Sequence, residues 1–210
     1  SQHERLTESI IWADNRANQY ADLINEQYGG HDIYKRTGTP IHPMSPLSKI
    51  FWMKHEQPDI YQNTAMFADI KTYIFYQLYG EYVIDHSMAS ATGMFNLQQL
   101  DWDQEALELL GISASQLPQL VPTTHILKGM KKRYATLMGI DENTPVVVGA
   151  SDGVLSNLGV NSYKKGEVAV TIGTSGAIRT VIDKPRTDYK GRIFCYVLDE
   201  EHYVIGGPVN

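Results

Sequence analysis

The segment at residues 146–153 places one carboxylate among small residues. An apolar run predicts a short strand over 146–148, and the letters GASDG follow it. Because Gly153 and its neighbours have little bulk, a substrate could approach Asp152 closely. We interpret Asp152 as a candidate general base, a role that typically contributes ~10²–10⁴-fold in rate. A helix predicted over 153–160 would keep the carboxylate ionised through its dipole. The alternative is that Asp152 only caps that helix.

A second candidate site is a glycine-bounded turn between two β-rich runs, 168–172 and 177–182. The turn reads Gly173, Thr174, Ser175 and Gly176. The pattern predicts a hairpin whose tip offers backbone N–H groups and hydroxyls without bulk, which is a way to hold phosphate oxygens. An ordinary tight hairpin would need the same glycines. A carboxylate beside a phosphate-binding tip indicates phosphoryl transfer to an alcohol, although the P-loop pattern GxxxxGK[ST] does not occur in the sequence.

Three further residues could contact a polar substrate. Asp14 and Arg16 follow a predicted strand at 10–12 and could bind a polyol or a carboxylate; they could equally form a structural pair at a helix start. His42 lies in a loop bounded by prolines and could reach a substrate, or be a plain surface histidine. The other histidines have no metal-ligand spacing, so the sequence predicts no metal site built on them.

Composition narrows the class of protein. The net charge of -6 and the lack of a Lys/Arg-rich run make nucleic acid a poor partner. No apolar run reaches the ~20 residues of a membrane helix, so no membrane partner is expected. Cys195 is the only cysteine, which excludes an intrachain disulfide and fits a reducing cytoplasm. Its apolar surroundings indicate a buried strand residue rather than a nucleophile.

The order of predicted elements indicates an α/β protein in which the kind of secondary structure changes near residues 160–166. Before this point, helical spacing alternates with short strands, whereas strand runs dominate afterwards. Gly and Pro predict a loop at 36–46, and small polar residues at 86–93 predict a packed turn or a site wall. Helices are predicted at 17–28, from 47 to about 58, at 69–79, 103–110 and 131–138, and strands at 81–84, 145–149, 193–198 and 203–206.

The chain resembles the FGGY family of carbohydrate kinases. The resemblance is carried, in the family's order, by IIWADNRA (10–17), the Lys49-x-x-Trp52 helix, DHSMASATGMFNLQQLDWD (85–103), GASDGVLSNLGV (149–160), GEVAVTIGTSGAIR (166–179) and VIGGPVN (204–210). It implies the actin/hexokinase-type (ribonuclease H-like) ATPase fold. Residues 1–162 would form most of the N-terminal kinase domain, and residues 163–210 the start of the C-terminal domain. The stretches at 10–17, 31–50 and 149–161 look most like gluconate kinases.

The resemblance also implies roles for single residues. Asp152 matches the catalytic base, and Gly173, Thr174, Ser175 and Gly176 match a hairpin that contacts ATP phosphates. A nucleotide-side turn would begin with Gly206, Gly207 and Asn210. Asp14 and Arg16 match a motif near the sugar pocket, and His86 matches a sugar-contacting position. ATP and Mg²⁺ would be the cofactors, and a homodimer is common among family members.

Two family features are missing from this sequence: an opening DxGT[ST] phosphate hairpin and a long second domain with the adenine pocket. The start at Ser1 and the end just after a glycine pair are typical of an internal fragment, for which we expect no kinase activity on its own. Two alternatives stay open. One is a kinase for another sugar such as xylulose, and the other is a non-catalytic, actin-like nucleotide-binding module.

Overall fold

The computed structural model describes residues 4–173 and 176–209. Its α-helices are α1 (Asn18–Gln27), α2 (Gly30–Thr37), α3 (Pro46–Glu56), α4 (Pro58–Asn63), α5 (Ile70–Tyr79), α6 (His86–Ser90), α7 (Gln104–Leu110), α8 (Lys132–Met138) and α9 (Asp152–Gly159). Its strands are β1 (Val83–Asp85), β2 (Phe95–Asn96), β3 (Asp101–Trp102), β4 (Gln119–Val121), β5 (Ile126–Leu127), β6 (Val146–Val147), β7 (Val168–Thr171), β8 (Gly176–Ile182), β9 (Phe194–Val197) and β10 (Tyr203–Val209). A short 3₁₀ helix covers Ala114–Gln116.

The pairing of the strands changes at the point where the sequence predicts a change from mixed helices and strands to consecutive strands. Up to β6, the strands form three small pairs: β1 with β4 in parallel, and β2 with β3 and β5 with β6 in antiparallel. From β7 onwards, four strands form one antiparallel sheet in the order β7-β8-β10-β9. The alternation of helices and short strands followed by this sheet confirms the predicted α/β class.

Several predicted helices begin and end where side chains complete the backbone hydrogen bonding. The Asp69 carboxylate accepts hydrogen bonds from the N–H groups of Lys71 and Thr72 at the start of α5, and Gly80 ends that helix with a φ of 83°. Asp103 caps α7 by accepting from Ala106 N. These contacts satisfy N–H groups that have no partner within the helix.

Three local predictions need correction. Residues 10–12 form no strand: Ile11 and Trp12 are 60% and 72% exposed, and no described strand pairs with them. An apolar run alone therefore does not make a strand, because the ladder needs a partner. The predicted loop at 36–46 begins only at Gly38, since α2 continues to Thr37. Residues 86–93 begin with α6 rather than with a turn.

The β7–β10 sheet packs on both faces. On one face, Cys195, Val197 and Tyr203 join the main hydrophobic core together with helices from the first part of the chain. On the opposite face, Val181 and Val204 pack against Val154 of α9. Cys195 is fully buried, which confirms its interpretation as a strand residue of the interior. None of the helices within the described ranges is long and apolar enough to cross a bilayer.

Candidate active site

The starts of α6 and α9 meet through two buried serines. Ser87 Oγ accepts a hydrogen bond from the backbone N–H of Ser151 at 3.2 Å, and the two serine hydroxyls also lie 3.2 Å apart. Asp85 caps α6 by accepting from Met88 N, and its other carboxylate oxygen forms a 2.5 Å ion pair with Lys71. Asp85 is fully buried, so its bonds hold the start of α6 in place independently of the contact with α9.

Asp152 is the first residue of α9, and Ser151 holds the capping position. Ser151 Oγ accepts from Val154 N at 3.4 Å. The alternative interpretation of Asp152 as the helix cap is therefore wrong. The Asp152 side chain is exposed and accepts one local hydrogen bond, from Gly153 N at 2.6 Å. The carboxylate thus faces solvent at the positive end of a helix, which is a suitable setting for a base.

The predicted hairpin is confirmed as β7 and β8, which pair from Val168–Thr180 to Thr171–Ala177. Gly173 lies in the connection and is exposed, and Gly176 is the first residue of β8. Thr174 and Ser175 lie outside the described residues. The contact of this tip with phosphate remains a prediction.

The glycine pair at 206–207 does not form the predicted turn. Both residues lie inside β10, where Gly206 pairs with Arg179 and Gly207 with Ile178. A Cβ on Gly206 would lie 2.4 Å from the Ile178 carbonyl oxygen and 2.9 Å from the Phe194 ring. Gly206 is therefore required by close packing within the sheet. Asn210 lies outside the described residues, and a contact of this segment with nucleotide stays a prediction.

Arg179 is a charged residue at this site that the sequence analysis did not select. Its guanidinium lies against the first turn of α9, where a Cβ on Gly153 would be 3.5 Å from Arg179 Nε and 3.6 Å from Nη2. Nη1 donates to Thr171 Oγ1 at 3.3 Å, so the side chain leans from β8 over β7. The available signal was its position in the strand, two residues before the buried Val181 on the face that packs on α9.

Asp14 and Arg16 form an ion pair, which agrees with the interpretation that they are a structural pair rather than free substrate ligands. The Arg16 guanidinium donates to both carboxylate oxygens at 2.8–3.0 Å, and it lies 5.0 Å from the centre of the Trp52 ring. The hydrogen bonds from Arg16 lower the pKa of Asp14 to about 2. Lys49 donates to the carbonyl of Ile11 at 2.5 Å, which anchors this segment on α3. Burial lowers the pKa of Lys49.

The loop that carries His42 is anchored on α6. Thr39 Oγ1 donates to the Ser90 carbonyl at 2.6 Å, and Gly38 adopts a φ of 69°. His42 Nδ1 accepts from Met44 N at 3.3 Å, a bond inside the loop. The loop is thus connected through α6 to the Ser87–Ser151 contact beside Asp152.

His86 is the first residue of α6 and lines a cavity of about 330 Å³. The other lining residues are Pro122, Thr123, Thr124, Asp199, Glu200 and Glu201. Burial lowers the pKa of the His86 imidazole, which opposes the effect of nearby acids, and the ring lies 5.5 Å from that of Phe95. A neutral imidazole can donate and accept one hydrogen bond each, as a polyol contact requires.

The structure therefore brings some predicted site residues together and leaves others apart. Asp152 and Gly153 follow Ser151, which contacts Ser87 of α6, and the β7–β8 hairpin reaches Gly153 through Arg179. His86 is the neighbour of Ser87 in sequence, but its cavity is lined by other residues than Asp152 and Gly153. Asp14 and Arg16 sit on α3 instead, with no hydrogen bond or ion pair to Asp152 within residues 4–173 and 176–209.

A metal ion would depend on the nucleotide for most of its ligands. In the described part of the chain, no three His, Cys, Asp or Glu side chains converge into a metal cluster. Magnesium in kinases usually keeps several waters and binds substrate phosphates with one or two carboxylates. The described residues fit that arrangement only in part, because Asp152 is the proposed base and the structure assigns no other carboxylate to the metal.

Comparison with known proteins identifies the family. Residues 1–159 match the N-terminal domain of the FGGY family of carbohydrate kinases. The gluconokinase of Bacillus subtilis (strain 168) is 62% identical over 98% of this chain, which covers 40% of that enzyme. The crystal structures of a gluconate kinase and of a ligand-bound xylulose kinase, both from Lactobacillus acidophilus, each superpose with a TM-score of 0.97 at 42% identity. Each covers all of this chain, which spans 43% of theirs.

The chain therefore spans about two fifths of the length of the curated gluconokinases it matches. Its fold is that of the FGGY sugar kinases, the actin/hexokinase-type fold that the resemblance implied. The family match covers three quarters of the sequence, including β1 to β6 and the whole of α9. This chain belongs to the FGGY family of carbohydrate kinases.

Proposed function

We propose that the full-length protein phosphorylates a sugar acid with ATP, most specifically D-gluconate to 6-phosphogluconate. The observation that carries the substrate is the 62% identity to a gluconokinase over nearly the whole chain. The geometry supports the reaction class independently, because an exposed carboxylate at a helix start lies beside a glycine-bounded hairpin.

In this proposal, Asp152 is the general base. The substrate hydroxyl approaches over Gly153, and Asp152 accepts its proton as the oxygen attacks the γ-phosphorus. Asp152 suits this role because Ser151 caps α9, which leaves the carboxylate available. Its only hydrogen bond within the described chain comes from the adjacent Gly153 N–H.

Backbone groups of the β7–β8 tip and of Gly207 are the proposed ATP contacts. Gly207 leaves open space, since a Cβ there would meet nothing nearer than 3.8 Å. Magnesium, when bound, would neutralise phosphate charge. His86 and the His42 loop are the proposed sugar contacts. The support is that both are attached to α6, the helix whose Ser87 contacts Ser151 next to Asp152.

The test is Asp152→Asn in the full-length enzyme, which removes the base but keeps the size of the side chain. We expect kcat for gluconate to fall ~10²-fold or more while gluconate and ATP binding stay nearly unchanged. Steady-state kinetics and calorimetric binding measure the two quantities. Asp59→Asn is the matched control, because Asp59 is also an exposed aspartate in the first turn of a helix, α4. Retained kcat in Asp152→Asn would refute the role of Asp152 as the base. Absence of sugar phosphorylation by the wild-type full-length protein would favour a non-catalytic, actin-like module.

A second candidate substrate is xylulose. It is favoured by the xylulose kinase structure, which matches this chain as well as the gluconate kinase structure does. Comparing kcat/KM for gluconate and xylulose in the full-length enzyme separates the two candidates. A higher kcat/KM for xylulose would replace gluconate as the proposed substrate and leave the role of Asp152 intact.

A further inference from the structure

Arg179 places its positive charge beside the N-terminus of α9. The N-terminus of α9 carries a partial positive charge from its unpaired N–H groups. The Arg179 guanidinium lies within ordinary van der Waals reach of that first turn, at Gly153. A cation is normally disfavoured at a helix N-terminus, so this position needs a compensating interaction.

The contacts within the chain compensate this charge only in part. Arg179 makes one hydrogen bond within the described residues, to the neutral hydroxyl of Thr171. Its Nε is buried and has no hydrogen-bond partner among residues 4–173 and 176–209. An unpaired charged donor beside a helix N-terminus, close to an exposed carboxylate, matches the requirements of an anion that enters from outside.

Two anions take part in the proposed reaction, and geometry favours one of them. Arg179 lies beside the residue next to Asp152, so it faces the reacting end of the acceptor. The sugar acid has its carboxylate at the other end of its carbon chain, away from the hydroxyl that Asp152 would deprotonate. The transferring phosphoryl group, in contrast, must lie directly at that hydroxyl.

We propose that Arg179 binds the transferring phosphoryl group and stabilises its charge during transfer, an assignment that rests on the proposed kinase function. The acceptor oxygen forms a bond to the γ-phosphorus, and the bond from this phosphorus to the β–γ bridging oxygen breaks. The electron pair of that bond stays on the ADP oxygen, and the acceptor proton passes to Asp152. Arg179 offsets the repulsion between the incoming phosphoryl group and the Asp152 carboxylate.

The strand pairing explains how the guanidinium is held in place. The Arg179 stem rises from β8 opposite Gly206, where a Cβ would lie 3.0 Å from Arg179 Cγ. Thr171 of β7 then accepts a hydrogen bond from Nη1 on one side of the guanidinium. The side chain is therefore oriented by three strands of the sheet, and its charged end is presented to α9.

The experiment compares Arg179→Met and Arg179→Lys with the wild-type full-length enzyme. Arg179→Met removes the charge and keeps a side chain of similar length. Arg179→Lys keeps a positive charge but lacks the planar guanidinium with its several N–H donors. We expect Arg179→Met to lower kcat ~10²–10³-fold for gluconate and equally for a neutral sugar acceptor, with a nearly unchanged KM for gluconate. Calorimetry should show weaker binding of ADP with aluminium fluoride, a mimic of the transferring group, and unchanged binding of ADP alone. Arg179→Lys should recover part of both losses.

Three results would overturn the assignment. The first is an unchanged kcat in Arg179→Met. The second is a raised KM for gluconate with normal turnover of the neutral acceptor, which would place the sugar carboxylate at Arg179. The third is equal loss of ADP binding with and without aluminium fluoride. Arg133→Met is the control, since Arg133 is exposed and stacks locally on Tyr134. Absence of gluconate turnover in the wild type would refute the proposed substrate, whereas the aluminium fluoride comparison would still test Arg179.

Discussion

Ser151 and Asp152 are adjacent polar residues at the start of α9, and only Ser151 caps the helix. Either side chain could cap α9, so the sequence alone leaves the general base and the helix cap as equal interpretations of Asp152. The structure shows that Ser151 is the cap, held by a residue far away in the sequence, because Ser87 accepts from the Ser151 N–H. The role of Asp152 as the base stays a prediction. Arg179 was missed for a related reason: alternation with Val181 indicates that it lies on a packed face, but no local pattern identifies α9 as the element that covers this face.

His86 should make the protein lose stability in mild acid. Burial lowers the pKa of His86 from its ordinary value of 6.5. Below pH 6.5 the unfolded chain therefore binds a proton that the folded chain resists, and the free energy of unfolding falls as the pH falls towards the lowered pKa. Above pH 6.5 His86 is neutral in both the folded and the unfolded chain, so it contributes no pH dependence to the free energy of unfolding.

The measurement is urea unfolding of wild type and His86→Gln at pH 7.5 and near pH 5. We expect the difference in stability between the two pH values to be smaller in His86→Gln, because glutamine does not titrate. His55→Gln is the comparison variant, a histidine that hydrogen-bonds within α3 through the Phe51 carbonyl. Equal pH dependence in wild type and His86→Gln would contradict the prediction.

At the scale of elements, α6 organises the site. This helix has only five residues, yet it contacts α9 through Ser87, the His42 loop through the Ser90 carbonyl, and β9 through Ser90 Oγ. Its small residues allow these close approaches, and the site wall predicted at 86–93 stays a prediction. The helix was not predicted because five small and polar residues are too few to show a repeated helical spacing of apolar residues.

Removing the Ser87 hydroxyl should loosen the start of α9. In Ser87→Ala, the buried N–H of Ser151 loses its acceptor, a change that costs ~1–3 kcal/mol of stability. We expect this loss in urea unfolding, with a lower kcat because Asp152 is less well positioned. Ser115→Ala, at an exposed serine that pairs locally with Ser113, should change both quantities little. A Ser87→Ala variant as stable as wild type would show that the contact between the helices is not needed.

At the scale of the whole molecule, residues before and after the predicted boundary at 162 are connected by many contacts. Cys195 N donates to the Gly38 carbonyl at 2.8 Å, and the Tyr34 hydroxyl donates to the Ile193 carbonyl at 2.7 Å. Thr123 Oγ1 likewise donates to the Leu198 carbonyl at 2.9 Å. The sequence predicted the strand at 193–198, which carries one partner of each of these contacts. It could not predict the contacts, because burial on a strand does not identify the element that covers it.

Gly38 should be the least replaceable glycine at this junction. A Cβ at residue 38 would lie 2.5 Å from Leu97 Cδ1 and 2.7 Å from the Cys195 carbonyl oxygen. Gly38→Ala therefore adds a clash to the ~1–2 kcal/mol cost of a left-handed backbone for alanine. Gly129 supplies the control, since its φ is 75° and nothing lies within 4 Å of its Cβ position.

Urea unfolding of both variants measures the two costs separately. Gly129→Ala should show the backbone cost alone, and Gly38→Ala a clearly larger loss of stability. The thiol of Cys195 gives an independent reading, because burial raises its pKa to about 11 and protects it from thiol reagents. Faster labelling of Cys195 is expected in Gly38→Ala only, and equal behaviour of the two variants would refute the role of this junction.

The anchoring of the His42 loop has an evolutionary consequence. The loop is attached to α6 at Thr39 and closed by a bond to the His42 carbonyl, and Ile41 packs against the main core. The exposed side chains of His42 and Met44 make no bond to α6. The setting of Asp152 depends instead on Ser87 and Ser151. If the proposed sugar contact of this loop holds, we expect substitutions at His42 and Met44 to alter acceptor preference without moving Asp152. Kinases for different sugars can diverge from one such scaffold by changing a few exposed loop positions.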